Sequence, residues 1–150
     1  MKMVMAIVIT LCISWPICTL AMEAPVGSIK TLKGKAYIIR NRSAVEVKIG
    51  SKVFTNDALK TGGDGSMAMV FKDDTLLSIG PNSEVVINEF FFSPGEGKLS
   101  IITRLLKGTS AYLSGIIGKL SPESVRFETP VANIGLRGTK FAVSVEGSDE

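Results

Sequence analysis

The chain of 150 residues contains no histidine, and its only two cysteines, Cys12 and Cys18, lie close to the N-terminus. Histidine is the usual general base near neutral pH and the commonest metal ligand, and serine or cysteine nucleophiles normally depend on it. These absences argue against Cys/His and Ser/His catalysis and against a histidine metal site. We therefore expect no enzyme activity, no catalytic residues, no metal and no cofactor.

The N-terminus has the pattern of a secretory signal peptide. Lys2 provides a short basic start, residues 4–20 form a mostly apolar run, and the small residues Ala21 and Ala24 follow. This order is typical of a leader that is removed on export. We predict that residues 1–21 form a helical signal peptide cleaved after Ala21, with cleavage after Ala24 as the alternative.

An uncleaved membrane anchor is the other interpretation of this segment. The apolar run is short for a membrane span of about 20 residues, and Thr10, Ser14 and Pro16 interrupt it. Removal of the leader also removes both cysteines, so the exported part has no thiol although its compartment would allow a disulfide. We expect one exported domain, residues 22–150, that is periplasmic or secreted in a bacterium and touches a membrane only through an uncleaved leader.

The charged residues are balanced and scattered. The chain has 17 Lys and Arg against 14 Asp and Glu, so its net charge is +3, which falls to +2 without Lys2. Nucleic-acid binders usually concentrate basic residues in one stripe, and we therefore expect no nucleic-acid partner. The densest basic group, which we interpret as a solvated strand face, consists of Lys30, Lys33, Lys35, Arg40 and Arg42.

After the leader, apolar residues alternate with polar ones, which is the pattern of half-buried strands. This period of two occurs in KAYIIR, AVEVKI, SMAMVF, VRFET and KFAVSVE. The segment KLSIITRLLKG is the best helix candidate, but its β-branched residues favour a strand. Two sets of side chains that are predicted to share a buried face are Val45, Val47 and Ile49, and Phe141, Val143 and Val145.

Clusters of Gly, Pro, Asn and Asp separate these segments at intervals typical of all-β domains. The fold is therefore predicted to be all-β, a single-domain β-sandwich or β-roll of many short, mostly antiparallel strands preceded by the signal helix. In one hairpin, residues 72–75 are predicted to reverse the chain between strands at residues 67–71 and 76–79.

Carboxylates near this hairpin raise the alternative of an envelope glycan hydrolase. Such enzymes need two carboxyl groups about 5–9.5 Å apart across a cleft, and nothing in the sequence predicts a cleft. A turn is therefore the preferred role of Asp73 and Asp74. The full set of candidate carboxylates is Asp73, Asp74, Glu84 and Glu89.

Two ligand-binding alternatives are weaker. The segment TNDALKTGGDGS contains Asp57 and Asp64, which raises the hypothesis of a calcium site. This segment lacks the dense alternating oxygen ligands of a dedicated calcium loop. A domain that binds a small ligand is the second alternative.

Three segments together resemble the FecR-like periplasmic domain. LKTGGDGSMAMVFKDDTLLSIGPNSEVVI resembles its middle block, LLKGTSAYL the block that follows, and VRFETPVANIGLRGTKFAV its closing signature, in which Arg-Gly-Thr-x-Phe follows Thr-Pro and Ala. The resemblance covers roughly residues 26–146. The residues that match the family pattern, which we interpret as structural, are Thr61, Gly62, Thr129, Pro130, Ala132, Arg137, Gly138, Thr139 and Phe141.

This resemblance implies an all-β envelope domain, of the kind found in regulators of iron–siderophore uptake, where it transmits transporter occupancy to a cytoplasmic anti-sigma segment. Only three residues precede the apolar run, so direct sigma-factor regulation is not expected. The chain stops at EGSDE, where the family commonly continues with further strands, and we expect either a minimal or a C-terminally truncated domain. The implied function is a non-enzymatic binding or signalling module whose partner is an envelope protein or a glycan.

Arg137 lies in a mostly apolar segment, and two interpretations of it are open. In the structural one, its guanidinium reaches strand carbonyls or a carboxylate such as Glu128 or Asp64, while Gly138 permits a bulge. In the functional one, an exposed Arg137 binds an anionic partner through its planar fork of donors. We favour the structural interpretation, because a buried polar group must be paired.

Phe90, Phe91 and Phe92 are consecutive, so they cannot all face the same side of a strand. We expect at least one of them to point outward and contact a partner, unless the strand is buried on both faces.

Overall fold

The computed structural model describes Leu20 and residues 22–136 and 139–147, so the predicted leader lies outside the described residues apart from Leu20. The described residues form twelve strands and one short α-helix. No helix in these ranges has both the length and the apolar character needed to cross a membrane. The elements are β1 (Gly27–Lys33), β2 (Ala36–Arg40), β3 (Ser43–Glu46), β4 (Lys52–Val53), β5 (Ala58–Thr61), β6 (Ser66–Phe71), β7 (Leu76–Ile79), β8 (Glu84–Ser93), β9 (Lys98–Leu113), α1 (Ile116–Leu120), β10 (Val125–Glu128), β11 (Asn133–Gly135) and β12 (Lys140–Val145), with 3-10 turns at Pro94–Glu96 and Pro122–Ser124.

The strands belong to one sheet that curls into two facing layers. The first layer has the order β4-β1-β6-β7-β9-β12, and the second has the order β3-β2-β5-β8-β9-β10-β11. The strand pairs are antiparallel except for β9 with β10, which is parallel. The prediction of an all-β fold with mostly antiparallel strands is therefore confirmed.

Strand β9 contains 16 residues and belongs to both layers. Its first part pairs with β8, whereas its last part pairs with β7. The change of layer occurs at Gly108, whose φ of +89° is rarely adopted by residues with a side chain. A Cβ at this position would also lie 2.5 Å from Ser83 Cα. The bend therefore requires glycine.

The core lies between the two layers. On β6, Met67, Met69 and Phe71 are buried, as their alternation predicts. Phe71 stacks on Phe90 of the opposite layer, with 5.3 Å between ring centroids. Burial of a side chain of this size contributes about 1.5–3 kcal/mol, so contacts across the layers stabilise the strands that supply them.

Three rings from β9, β10 and β12 form a second packing unit, the aromatic cluster, which consists of Tyr112, Phe127 and Phe141. Phe141 stacks on Tyr112 with 5.1 Å between centroids and meets Phe127 edge-on at 5.4 Å. Tyr112 also meets Phe127 edge-on at 6.5 Å. Since Phe127 belongs to the second layer and the other two rings to the first, the cluster joins the layers.

The prediction for the segment AVEVKI is wrong in part. Val47 is buried, but Val45 is 47% exposed and Ile49 is 69% exposed. Strand β3 has only four residues and ends at Glu46, so Val47 and Ile49 lie beyond it. Val45 faces inward from the last strand of its layer, where no described strand covers it on the outer side. By contrast, Phe141, Val143 and Val145 share an inward, half-buried face, as predicted.

Two further predictions, about a strand and a turn, are confirmed. The segment KLSIITRLLKG lies within β9 and is extended, in agreement with its β-branched residues. Residues 72–75 reverse the chain between β6 and β7, which pair in antiparallel fashion from Met67 opposite Ile79 to Val70 opposite Leu76.

Candidate functional site

Thr61 and Gly62, the first two residues of the family pattern, hold a corner between β5 and the turn before β8. Thr61 Oγ1 donates to the Gly80 carbonyl oxygen at 2.6 Å and accepts from the Ser83 amide at 3.0 Å. The carbonyl of Gly62 accepts from the Asn82 amide at 3.0 Å. The threonine hydroxyl is therefore used as both donor and acceptor inside the fold.

Ser83 extends this corner to the bend of β9. Its hydroxyl donates to the Pro81 carbonyl at 2.9 Å and accepts from the Thr109 amide at 2.9 Å. The Thr109 amide follows the bend at Gly108, where the regular ladder is interrupted. Sequence reasoning did not single out Ser83, although the Pro-Asn-Ser step before a strand was a usable signal for a side chain that bonds to a turn.

Thr129, Pro130 and Ala132 form the tight turn between β10 and β11. The Thr129 hydroxyl accepts from the Ala132 amide at 3.0 Å, and the Thr129 amide donates to the Ala132 carbonyl at 2.8 Å. Val131 at the tip is 90% exposed. Within the turn, the threonine and the alanine therefore fix the geometry, and the proline occupies a position outside the strand ladder.

Arg137 and Gly138 lie outside the described residues, so both interpretations of the guanidinium stay predictions. The two carboxylates considered for it have other partners. Glu128 forms an ion pair with Arg104, with 3.1 Å between Nη2 and Oε2. Asp64 Oδ1 accepts from the Lys35 amide at 3.5 Å.

Thr139 and Phe141 continue the signature on the far side of that step. The carbonyl of Thr139 accepts from the Ser114 amide at 2.7 Å, which fixes the pairing of β12 with β9. Phe141 belongs to the aromatic cluster. Among the signature residues that the structure describes, the polar contacts and ring contacts are internal to the fold.

Asp73 is a buried carboxylate within the predicted turn, and its burial was missed. It accepts from the Thr75 amide at 3.1 Å and the Thr75 hydroxyl at 2.8 Å, and from the Ile117 amide of α1 at 3.1 Å. Asp74 beside it is exposed, with φ of +67°. The Asp-x-Thr spacing was the available signal, because an Asp side chain commonly bonds to the backbone two residues ahead.

Tyr112 lies against this buried group. Its ring is buried in the aromatic cluster, and its hydroxyl has no hydrogen-bond partner among the described residues. Burial raises the pKa of Tyr112 to about 12, because the phenolate would lose its hydration. The phenol is therefore neutral throughout the physiological range.

Asp57, one of the two residues considered for calcium, is buried and paired with Arg40. The carboxylate accepts from Arg40 Nε at 2.9 Å and Nη2 at 2.6 Å, and from the Phe54 amide at 2.9 Å. The guanidinium lies over the Phe54 ring, 4.5 Å from its centroid. The hydrogen bond to Asp57 raises the pKa of Arg40 above its usual value. Among the described residues, no three of His, Cys, Asp or Glu come together as a metal site would require.

The candidate carboxylates for glycan hydrolysis are dispersed. Glu84 on β8 lies 3.4 Å from Lys60 Nζ in an ion pair, and Glu89 accepts from the Ser100 hydroxyl. Asp73 lies in the turn between β6 and β7 of the first layer and accepts a hydrogen bond from α1, whereas both glutamates lie in the second layer. Each of these carboxylates bonds to a partner inside the fold. An acid and a base of a hydrolase would instead face one substrate across a cleft.

Several shallow grooves lie on the surface near β12, and the two of about 420 Å³ differ in their lining residues. One, of about 420 Å³, crosses the outer face of β7, β9 and β12 and is lined mainly by small residues such as Ser78, Ala111 and Ala142. The other, also about 420 Å³, lies between the turn at Pro130 and the end of β12 at Val145. The first groove is lined by uncharged residues, whereas Glu84, Lys107 and Glu146 line the second.

The fold is an all-β domain. Where the structure describes them, most of its family-pattern residues form hydrogen bonds at turns or pack in the aromatic cluster. A family model described as "FecR protein" matches residues 57–150, and the chain therefore belongs to this family. The family is bacterial and is associated with signalling at the cell envelope. No curated protein and no solved structure matched the chain. All nine residues of the family pattern fall within the matched range.

Proposed function

We propose that this chain is a non-enzymatic binding or signalling domain of the bacterial cell envelope, periplasmic or secreted, that acts through contacts with an envelope protein or a glycan. The proposal rests on the observation that buried polar side chains of the domain form hydrogen bonds inside the fold. Asp57, Asp73 and Thr61 each satisfy two or more internal partners. Such residues stabilise the fold, so we infer that a partner binds to the surface of the domain.

The most direct candidate for a surface contact is Phe91 on β8. It is 54% exposed, whereas Phe90 stacks on Phe71 and Phe92 packs against the core. This arrangement agrees with the expectation that one of the three rings points outward. An exposed aromatic side chain provides a large contact area at low entropic cost, which is why such residues are enriched in protein interfaces.

The test is cross-linking of the full chain to its neighbours in a bacterial envelope, followed by identification of the captured protein. Phe91→Ser removes the exposed ring, and Ile49→Ser, in the turn after β3, removes an apolar side chain of greater exposure as the matched control. We expect both variants to melt like wild type and only Phe91→Ser to lose the captured protein. Unfolding of Phe91→Ser would contradict its role as a surface residue.

Two further measurements separate the alternatives. Co-sedimentation with purified peptidoglycan distinguishes a glycan partner from a protein partner. Release of soluble glycan fragments by wild type, abolished in Glu84→Gln or Glu89→Gln, would contradict the non-enzymatic function, and we expect no release.

A further inference from the structure

Strand β12 pairs on one side only, with β9, in the part of the chain that the structure describes. The Ser114 amide donates to the Thr139 carbonyl, and these two residues stand directly opposite each other in the register of β9 with β12. In an antiparallel ladder, such bonded pairs alternate with unbonded ones. The backbone N–H and C=O groups of Lys140, Ala142 and Ser144 therefore point away from β9. No strand lies on that side within the described ranges.

Within β12 itself, no bulge, proline or internal charge interrupts this edge. The pairing of β12 with β9 is continuous over six residues, without a register shift. Its only charged residues are at the ends, Lys140 at the start and Glu146 just after the last residue. Edges that avoid pairing are usually very short, bulged, or interrupted by charge or proline.

The space beside β12 has room for one strand. Phe141 of β12 packs on Phe127 of β10, so β12 lies over β10. Strand β11 pairs with β10 on the side away from β9 and therefore extends beyond β12 in the second layer. Its Ile134 stands opposite Phe127 and is only half-buried. Among the described residues, the first layer therefore ends one strand before the second layer at this side.

We propose that this position binds an extended segment of a partner protein, which adds as an antiparallel strand to β12 and covers Ile134. Outward N–H and C=O groups supply the main-chain bonds, as in other cases of strand addition. The inference rests on the proposed function as a binding domain and specifies where and how the partner binds.

The charges and the space identify the kind of segment. An antiparallel strand places its first residue opposite Glu146 and its last opposite Lys140, so a basic start and an acidic end are complementary. Residues opposite Phe141, Val143 and Val145 point inward and are therefore apolar. A second copy of this chain does not fit, because pairing of its own β12 here would bring its β10 onto β11.

The probe is a labelled peptide of sequence Lys-Val-Thr-Val-Thr-Val-Glu, in which the three valines face inward. Its control is the same peptide with proline in place of the second threonine, whose amide would bond to Ala142. We expect the full chain to bind the first peptide saturably in fluorescence anisotropy. The proline peptide should bind at least about tenfold more weakly, because it loses a main-chain bond and cannot extend regularly.

Two proline substitutions in the chain provide the matched test. Ala142→Pro removes an amide that points to the free edge of β12. Ala44→Pro does the same at the edge of β3, because the bond from the Val47 amide to the Ala36 carbonyl turns the Ala44 amide outward. Proline is tolerated where the amide faces solvent, so we expect both variants to fold, as checked by circular dichroism.

Binding that is lost in Ala142→Pro and retained in Ala44→Pro supports the inference. No saturable binding to wild type, or equal binding to Ala142→Pro, overturns it. A dimer in sedimentation equilibrium that Ala142→Pro dissociates overturns it in favour of self-pairing. These outcomes differ from failure of the proposed function, which would appear as a wild-type chain that captures no envelope partner in the cross-linking experiment.

Discussion

The two open sides of the curled sheet are held in different ways. On the β3 side, a charged pair, Arg40 with Asp57, fixes the end of β2 to the turn before β5, and the guanidinium covers the Phe54 ring. On the β12 side, the aromatic cluster joins the two layers.

The two edges also differ in their exposed strands. Strand β3 has four exposed residues and begins after a turn in which Asn41 and Arg42 both have positive φ. Strand β12 is longer, regular, and uncharged between its ends. An edge strand can therefore be anchored without being protected from pairing. Stability on this side comes from inward side chains, and the main-chain groups on the outer side stay available.

The largest predicted effect is at the aromatic cluster. Phe141→Ala removes the ring that contacts both Tyr112 and Phe127, and we expect a loss of about 3 kcal/mol in the free energy of unfolding. Urea denaturation monitored by circular dichroism measures it. Val45→Ala on the β3 side is the control and should change the free energy by less than about 0.5 kcal/mol. Equal losses in the two variants would contradict the difference between the sides.

The second prediction concerns alkaline pH. The pKa of Tyr112 is about 12 in the folded chain, above the ordinary value of about 10 in an unfolded one. The neutral phenol therefore favours the folded state, and this contribution is complete below pH 10. It is lost as the pH rises towards 12, by at most about 2.7 kcal/mol.

Tyr112→Phe is the matched variant, because the hydroxyl has no partner among the described residues. We expect it to be as stable as wild type at pH 7 and to show a smaller loss of stability between pH 10 and pH 12. Parallel alkaline curves for the two proteins would show that Tyr112 does not carry the effect.

The smallest of the three effects is expected for the charged pair. Asp57→Asn removes the carboxylate charge and leaves the Arg40 guanidinium without its ion-pair partner, at a cost of about 2 kcal/mol. The reduced cost relative to a fully buried pair follows from the partial exposure of Arg40. Thermal melts of Asp57→Asn and of Arg40→Met test it. Additive losses in the double variant would indicate that the two side chains do not interact.

Sequence periodicity predicted the strands but not where the sheet ends. The period of two placed Phe141, Val143 and Val145 on an inward face because that period follows from backbone geometry. It predicted burial of Val45 and Ile49 as well, but both are exposed, because one lies on an edge strand and the other beyond it. Coverage by a neighbouring strand is a property of the tertiary fold, and local alternation contains no information about it.

The polar contacts were less predictable than the strands. Asp57 was considered for calcium, yet its partner Arg40 lies 17 residues earlier, and spacing alone does not show such a contact. Asp73 was placed correctly in a turn, but its burial depends on α1, which begins more than 40 residues later. Such long-range pairs form only when the layers meet.

The passage of β9 through Gly108 also has a consequence for cooperativity. Because one continuous strand supplies hydrogen-bond partners to both layers, neither layer can open fully while the other keeps all its pairs. Amide protons of β7 and of β8 should therefore exchange with solvent through one shared global opening. Tension that β12 passes to β9 through their ladder of hydrogen bonds would then reach the opposite layer along the continuous backbone of β9.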